Sequence, residues 1–185
     1  MIEEAVAAIR AGKVVGLPTD TVYGIGVDPF NHEAVALLFE LKGRLEHKPV
    51  GVLVADPEQA MEIGEIGEQA RRLAARHWPG ALTLVVRPKV VMASWVGDEQ
   101  SETIGIRVPD QSVALQLLRE TGPLAVTSAN LSGGEETKSD VEAREIFGDR
   151  VAVYLEGGAP GGQASTVIDA SGGRLVVLRQ GPVEA

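Results

Sequence analysis

The chain has no cysteine among its 185 residues, and this absence removes several kinds of site at once. Without thiols the chain can form no disulfide bond, no thiolate metal site and no cysteine nucleophile. Its three histidines, His32, His47 and His77, are scattered along the sequence. Isolated histidines are more typical of solvated or structural positions than of a catalytic triad. We therefore expect no metal site built from protein ligands.

Long apolar runs are also missing, since no stretch approaches the roughly 20 residues that span a bilayer. The first residues, MIEEAVAAIRAGK, carry acidic side chains at once and lack the basic start of a signal peptide. These two features predict a cytoplasmic protein with no membrane segment. A content of 44% hydrophobic and 23% charged residues is typical of a globular protein, and the length suits a single domain over residues 1–185.

Positively charged residues are few, because the chain has 17 Lys and Arg residues against 26 Asp and Glu residues, which gives a net charge of -9. An acidic surface disfavours broad binding to nucleic acid or to anionic lipid. Aromatic residues make up only 4% of the chain, which leaves few rings on which bases could stack. We therefore expect binding to nucleic acid to be weak at most, although the charge count leaves room for a local basic pocket.

The common nucleotide-binding motifs are absent as well. Gly24 and Gly26 lack the third glycine of a GxGxxG fingerprint, and no GK[ST] sequence of a Walker loop occurs. If the chain binds a nucleotide, it does so by another arrangement.

Strand and helix patterns alternate along the chain without a strict βαβ rhythm. Val14–Leu17 and Val22–Val27 read as two extended runs that meet at a turn, and Val50–Ala55 reads as a strand buried on both faces. Helix starts are expected at Asp56-Pro57, Pro109-Asp110 and Ser139, the last as a capping box with Glu142. The pattern favours an α+β fold of three layers, with a mixed twisted β-sheet flanked by helices.

Short polar side chains, glycines and single cations gather where the predicted strands end. These segments are Thr19 to Thr21, Lys42 to Lys48, Thr103 with Arg107, Ser128 to Ser139, Ser165-Thr166, and Arg179. Arginine binds planar oxyanions through two hydrogen bonds, and hydroxyls add adjustable donors and acceptors. The composition of these loops suits a ligand that carries a phosphate and a carboxylate, whereas spacing alone does not establish that the loops converge.

Seven segments, in this order, resemble the YrdC/Sua5 family of L-threonylcarbamoyladenylate synthases: LPTDTVYGIGVD, LKGR with KPVGVLV, WPGALTLVV, TIGIRVP, TSANLSGG, STVID and LRQG. The resemblance covers nearly the whole chain. It implies the YrdC/RibB-like form of the predicted fold, with a basic cleft on the sheet. It also implies a nucleotidyltransferase that condenses L-threonine, bicarbonate and ATP into threonylcarbamoyl-AMP and pyrophosphate. The product would pass to a tRNA threonylcarbamoyl transferase for N6-threonylcarbamoyladenosine synthesis.

The same resemblance assigns roles to individual residues. The paired signature of the family, Lys-x-Arg and Ser-x-Asn, falls on the candidate catalytic residues Lys42, Arg44, Ser128 and Asn130. Candidate ATP contacts are Arg44, Lys48, Thr103, Asn130, Ser139 and Arg179. Candidate L-threonine contacts are Thr21, Arg107, Ser128 and Ser165.

Two rival interpretations stay open beside this one. Lys48 stands where the family often has asparagine, and Leu53 where it often has histidine. These differences favour a diverged nucleotide-binding paralogue with another acyl or carbamoyl substrate. A non-catalytic RNA-binding module is the other alternative. For the main interpretation we expect Mg²⁺ to enter with ATP, since the sequence has no dedicated carboxylate cluster.

Overall fold

The computed structural model describes residues 1–43, 48–160 and 162–184, and in them helices pack on both faces of one mixed sheet. The helices are α1 (Ile2–Arg10), α2 (His32–Leu41), α3 (Pro57–Ile63), α4 (Glu68–His77), α5 (Ser112–Thr121) and α6 (Asp140–Phe147), with a 3-10 turn at Gly148–Arg150. The strands are β1 (Val15–Leu17), β2 (Gly24–Val27), β3 (Gly51–Leu53), β4 (Leu82–Val86), β5 (Ile104–Arg107), β6 (Leu124–Ser128), β7 (Val153–Tyr154), β8 (Thr166–Asp169) and β9 (Val176–Arg179).

The nine strands lie in the order β7-β1-β2-β6-β3-β5-β4-β8-β9. The pairs β1–β7, β3–β5 and β4–β8 are parallel, and the other pairs are antiparallel. This arrangement confirms the predicted α+β fold with a mixed sheet. Residues far apart in sequence become neighbours, since Leu82 of β4 pairs with Thr166 of β8.

Side chains alternate between the two faces of the sheet, and each face packs on its own helices. On one face, Leu82, Leu84 and Ile106 join a core that includes residues of α2, α3, α4 and α6. On the other face, Leu53 and Leu124 join a smaller core formed with α1 and α5, which pack against each other. The result is a three-layer arrangement in which α1 and α5 cover only part of the second face.

Local sequence signals explain most helix starts. Asp56 caps α3, with Pro57 as its first residue, and Ser139 caps α6 by accepting a hydrogen bond from the Glu142 amide. The expected start of α5 at Pro109-Asp110 is wrong. The helix begins at Ser112, because the Gln111 side chain accepts from the amides of Val113 and Ala114 and acts as the cap.

Within the described ranges, no helix has the length and apolarity needed to cross a membrane.

We expect Leu84→Ala in β4 to destabilise the protein strongly, because Leu84 is fully buried in the larger core. Truncating a buried leucine typically costs about 2 to 5 kcal/mol in the free energy of unfolding. Val177→Ala in the same sheet is the matched control, since Val177 lies on the edge strand with 47% of its surface exposed. Urea unfolding should give a change of at most ~0.5 kcal/mol for the control. Equal losses in both variants would contradict this description of the core.

Candidate functional site

A cavity of about 700 Å³ lies on the face of the sheet that α1 and α5 leave partly uncovered. Its wall is formed by strand residues that point away from the larger core, including Thr83, Val85, Gly105, Arg107 and Val167. Gly51 and Gly105 contribute no side chains, so the backbone itself borders the space there. The alternation of the strands thus gives one apolar buried face and one face that can hold a ligand.

Arg107 at the end of β5 is the most deeply buried cation that borders this cavity, with only 5% of its surface exposed. Its Nη2 donates a hydrogen bond of 3.1 Å to Oγ1 of Thr21 and lies 3.3 Å from Oδ1 of Asp20. Thr21 is held in turn by Thr19, whose hydroxyl lies 3.1 Å from that of Thr21. The turn between β1 and β2 therefore reaches across the sheet to the end of β5.

Burial lowers the pKa of the Arg107 guanidinium, the Asp20 carboxylate opposes this change, and Arg179 adds to the lowering. The guanidinium remains charged at neutral pH, because arginine does not lose its proton in proteins. Its Nη1 is buried and has no hydrogen-bond partner within residues 1–43, 48–160 and 162–184. An unfilled donor on a buried cation beside a cavity favours an incoming carboxylate or phosphate.

Ser165 and Arg179 form a second polar group at the cavity, where β8 begins and β9 ends. Arg179 Nε donates to the Ser165 carbonyl oxygen over 3.0 Å, and its Nη2 lies 3.4 Å from Ser165 Oγ. The Ser165 hydroxyl also shares a hydrogen bond of 2.8 Å with Thr83 of β4. Three strands thus fix one hydroxyl beside a guanidinium, an arrangement suited to an oxyanion or a ligand hydroxyl.

Lys42, just after α2, is only 3% exposed. Its side chain organises the loop that follows β6. Its Nζ donates to the Ser128 carbonyl oxygen over 2.6 Å and to Asn130 Oδ1 over 3.1 Å. Asn130 Oδ1 also accepts from the Ser128 hydroxyl over 2.5 Å, and its Nδ2 donates to the carbonyls of Leu131 and Gly134. The ammonium and the amide together determine the shape of this loop.

The structure brings most of the residues predicted from sequence to one place. Those that border the cavity are Thr21, Lys48, Thr103, Arg107, Ser128, Ser165 and Arg179. Leu53, at which the sequence departs from the family pattern, borders it too. Lys42 and Asn130 are buried beside the Ser128 loop, and the Ser139 hydroxyl caps α6. Arg44 and His47 lie outside the described residues. The ligand contacts assigned to all of these residues stay predictions.

Asp20 and Thr83 are site residues that the sequence reasoning missed. Asp20 stands between two threonines in the first turn, and nothing local to that turn indicates that its partner is Arg107, 87 positions away. Thr83 carried a usable signal, because it is the polar residue that alternates with Leu82 and Leu84 and so must face away from the core.

Carboxylates near the cavity do not form a metal cage. Across the described ranges there is no group of three or more His, Cys, Asp or Glu side chains able to hold a metal ion. Two of the acids that border the cavity are occupied locally, since Asp98 accepts from Gln100 and Ser101, and Asp169 accepts from Ser171. A divalent cation at this site would need most of its ligands from a substrate.

Known proteins match this chain over nearly its whole length. The Sua5_yciO_yrdC family model, described as "Telomere recombination", matches residues 7–181. A "Putative threonylcarbamoyl-AMP synthase" from Mycobacterium tuberculosis strain H37Rv is 46% identical over an alignment of 184 residues, gaps included, and the match covers 98% of this chain and 84% of the relative. A "Threonylcarbamoyl-AMP synthase" from Bacillus subtilis is 41% identical over an alignment of 186 residues, gaps included, and the match covers 98% of this chain and 54% of the relative.

A solved structure of Sua5 from P. abyssi "complexed with L-threonine" superimposes with a TM-score of 0.90 at 37% identity. The match covers 97% of this chain and 54% of the P. abyssi chain. This chain therefore spans about half the length of the longer relatives and most of the length of the mycobacterial one.

We expect Lys42→Met to destabilise the loop after β6, because it leaves the Ser128 carbonyl and Asn130 Oδ1 without their cationic donor. Hydrogen bonds to charged groups contribute on the order of 1.5 to 3 kcal/mol. Guanidinium chloride unfolding should show a loss in that range, and amide hydrogen exchange should rise in residues 129–134. Lys13→Met is the matched control, since Lys13 is exposed after α1. A loss no larger than that of the control would overturn the role given to Lys42.

Proposed function

The chain belongs to the Sua5/YciO/YrdC family, and on that premise we propose that it is an L-threonylcarbamoyladenylate synthase. In this proposal it condenses L-threonine, bicarbonate and ATP into threonylcarbamoyl-AMP and pyrophosphate. The names of the relatives from M. tuberculosis and B. subtilis support this activity, and the L-threonine in the P. abyssi structure supports the amino acid. They favour the main interpretation over a paralogue with another substrate or an RNA-binding module.

The observation that carries the proposal is the buried guanidinium of Arg107, which borders the cavity with one donor unfilled. A guanidinium nitrogen of this kind is a strong donor for a carboxylate, and the hydroxyls of Thr21 and Ser165 border the same cavity. We assign this end of the cavity to L-threonine, with Arg107 bound to its carboxylate and with Thr21, Ser128 and Ser165 as further contacts.

The remaining candidate residues are assigned to the nucleotide. Here Lys48, Thr103 and Arg179 border the cavity as candidate ATP contacts. By resemblance Arg44, Asn130 and Ser139 belong to the same group, and Lys42 contributes by holding Ser128 and Asn130 in place. Apolar surface from Val85, Val167 and Leu178 adjoins these polar groups and suits the nucleoside part of ATP.

The reaction needs no nucleophile from the protein. The neutral amine of threonine captures CO₂ derived from bicarbonate, and a carbamate forms as the amine gives up a proton. A carbamate oxygen then attacks the α-phosphate, and the bond to the bridging oxygen of pyrophosphate breaks. Catalysis by the chain consists of holding the two substrates in line and stabilising charge on the phosphoryl oxygens. Fixed cations such as Arg179 supply that stabilisation.

Mg²⁺ is part of the proposal as an ion that ATP carries into the site. Magnesium ions commonly keep waters and phosphate oxygens as ligands, and they need only one or two groups from the protein. This chemistry agrees with the lack of a three-residue metal cluster in the described part of the chain. When bound, the ion would neutralise charge on the phosphates.

The product would be passed to a tRNA threonylcarbamoyl transferase, and we propose the cytoplasm as the place of reaction, since tRNA and ATP are available there. The net charge of -9 supports weak direct binding of tRNA at most. On this proposal the chain works on small molecules and leaves tRNA recognition to the transferase.

The activity is tested by mixing the purified protein with L-threonine, bicarbonate and Mg-ATP and measuring pyrophosphate. We expect pyrophosphate release that requires threonine and bicarbonate, together with an acid-labile adenylate detected by mass spectrometry. Omitting bicarbonate and replacing L-threonine with D-threonine are the controls. Pyrophosphate release that is the same with and without threonine would exclude the proposed activity.

Replacing Arg107 by lysine tests the threonine end of the cavity, since lysine keeps the charge but loses the planar pair of donors. We expect the Kd for L-threonine in calorimetry to rise about tenfold or more, and the Kd for ATP to change little. Arg119→Lys on the exposed face of α5 is the matched control. Unchanged threonine affinity in a folded Arg107→Lys protein would contradict the assignment, and so would an equal loss for both substrates.

A further inference from the structure

Thr166, the first residue of β8, is fully buried and ties the C-terminal segment to the sheet. Its hydroxyl accepts hydrogen bonds of 3.0 Å from the amides of Gly181 and Val183, and it donates over 2.7 Å to the Val183 carbonyl oxygen. These three bonds use the full hydrogen-bonding capacity of a hydroxyl. We call Thr166 and Gly181–Val183 the C-terminal tie.

Gly181 lets the two backbones cross at this point. A Cβ atom on Gly181 would lie 2.5 Å from the Ala164 carbonyl oxygen, 2.5 Å from the Thr166 amide nitrogen and 2.6 Å from the Ser165 carbonyl carbon. All three atoms belong to backbone, so no side chain can move away to make room. The tie therefore presses residues 180–182 directly onto the segment that contains Ser165.

The tie flanks the two polar residues that β8 and β9 bring to the cavity. Ser165 immediately precedes Thr166, and Arg179 stands two positions before Gly181. Among the described residues, neither Thr166 nor Gly181 borders the cavity, whereas Ser165 and Arg179 do. The tie can thus affect a ligand through its neighbours that border the cavity, of which Ser165 and Arg179 are the polar ones.

The strand ladder by itself leaves the position of Arg179 loosely defined. Val167 pairs with Arg179 but Ile168 pairs with Val177, so Leu178 is an extra residue and the register shifts at this point. Such a bulge interrupts the ladder hydrogen bonds. β9 is also exposed along its length, and in the part of the chain that the structure describes it is an edge strand with β8 as its one neighbour. The hydrogen bonds from the Arg179 side chain to Ser165 join the two residues, and the C-terminal tie lies directly beside both of them.

We propose that Thr166 is a positioning residue, which acts with Gly181 to hold Arg179 and Ser165 together in the geometry that both substrates require. The proposal rests on the proposed function in so far as Arg179 meets ATP and Ser165 meets L-threonine. It follows that one buried hydroxyl outside the cavity determines the affinity for two different ligands.

The kinetic test compares Thr166→Val with Thr166→Ser. Valine keeps the volume but leaves three backbone groups without their partner, and serine keeps the hydroxyl. We expect Thr166→Val to raise the KM for ATP and the KM for L-threonine together, each about tenfold. Thr166→Ser should restore both values to within about twofold of the original protein. Thr121→Val is the matched control, because the Thr121 hydroxyl also bonds to backbone, at Leu117 and Gly122, but on α5 and away from the cavity.

An NMR measurement distinguishes a positioning role of Thr166 from a general loss of stability, and it does not depend on which substrates the protein binds. In ¹⁵N NMR spectra, the Arg179 Nε–H group should exchange slowly because it donates to the Ser165 carbonyl. Thr166→Val should shift this signal and speed its exchange, and Thr121→Val should not. A lower melting temperature with unchanged KM values and an unchanged Arg179 signal would overturn the proposal. If the unaltered protein shows no threonine-dependent pyrophosphate release, the proposed activity fails, while the NMR comparison still tests the tie.

Hydrogen exchange of the unaltered protein gives a test that does not depend on a variant that folds. Under weakly denaturing conditions, the amides of Gly181 and Val183 should become exposed in the same opening step as the Arg179 Nε–H group. Exchange at Arg179 while both amides remain protected would show that the tie does not hold the arginine, and it would overturn the proposal.

Discussion

A positive charge sealed inside the protein is the constraint on which the site depends. Arg107 ends a central strand with only 5% of its surface exposed, and a charge buried to this degree persists only if it is paired and hydrogen-bonded. Its partners, Asp20 and Thr21, belong to the turn between β1 and β2. Because β6 and β3 lie between β2 and β5, the ion pair draws this turn across two strands and closes one end of the cavity.

The asymmetry between the two faces of the sheet explains why a cavity exists at all. One face of β4, β5 and β8 is largely apolar, with Leu82, Leu84 and Ile168 in the larger core, and helices pack against it. The other face carries glycines, hydroxyls and a guanidinium in place of large aliphatic side chains, so it cannot form a tight core with a helix. Val85 and Val167 leave some apolar surface within it. The same alternation that stabilises the sheet therefore produces a mixed polar and apolar cleft.

The sequence predicted those features that depend on near neighbours along the chain. The start of α3 at Asp56-Pro57 and the Ser139 cap of α6 were both predicted from sequence and are confirmed. The start of α5 was wrong because a glutamine side chain acts as its cap, which residue preferences do not favour. The meeting of Thr21, Arg107 and Ser165 came from resemblance alone, since it depends on which strands pair. Neither the local sequence patterns nor the family resemblance indicated the ion pair between Asp20 and Arg107.

The order of the strands also determines when the cavity can form. The parallel pairing of Leu82 with Thr166 joins segments that the ribosome makes far apart in time, and parallel pairs of this separation are slow to form because a long loop must close first. A nascent chain that ends before β8 holds Thr21 and Arg107 but lacks Ser165, Arg179 and the wall they complete. The cleft is thus assembled from the early and the late parts of the chain. Binding competence therefore requires β8 and β9, because a polypeptide that ends before them holds Thr21 and Arg107 in a cleft that lacks one wall.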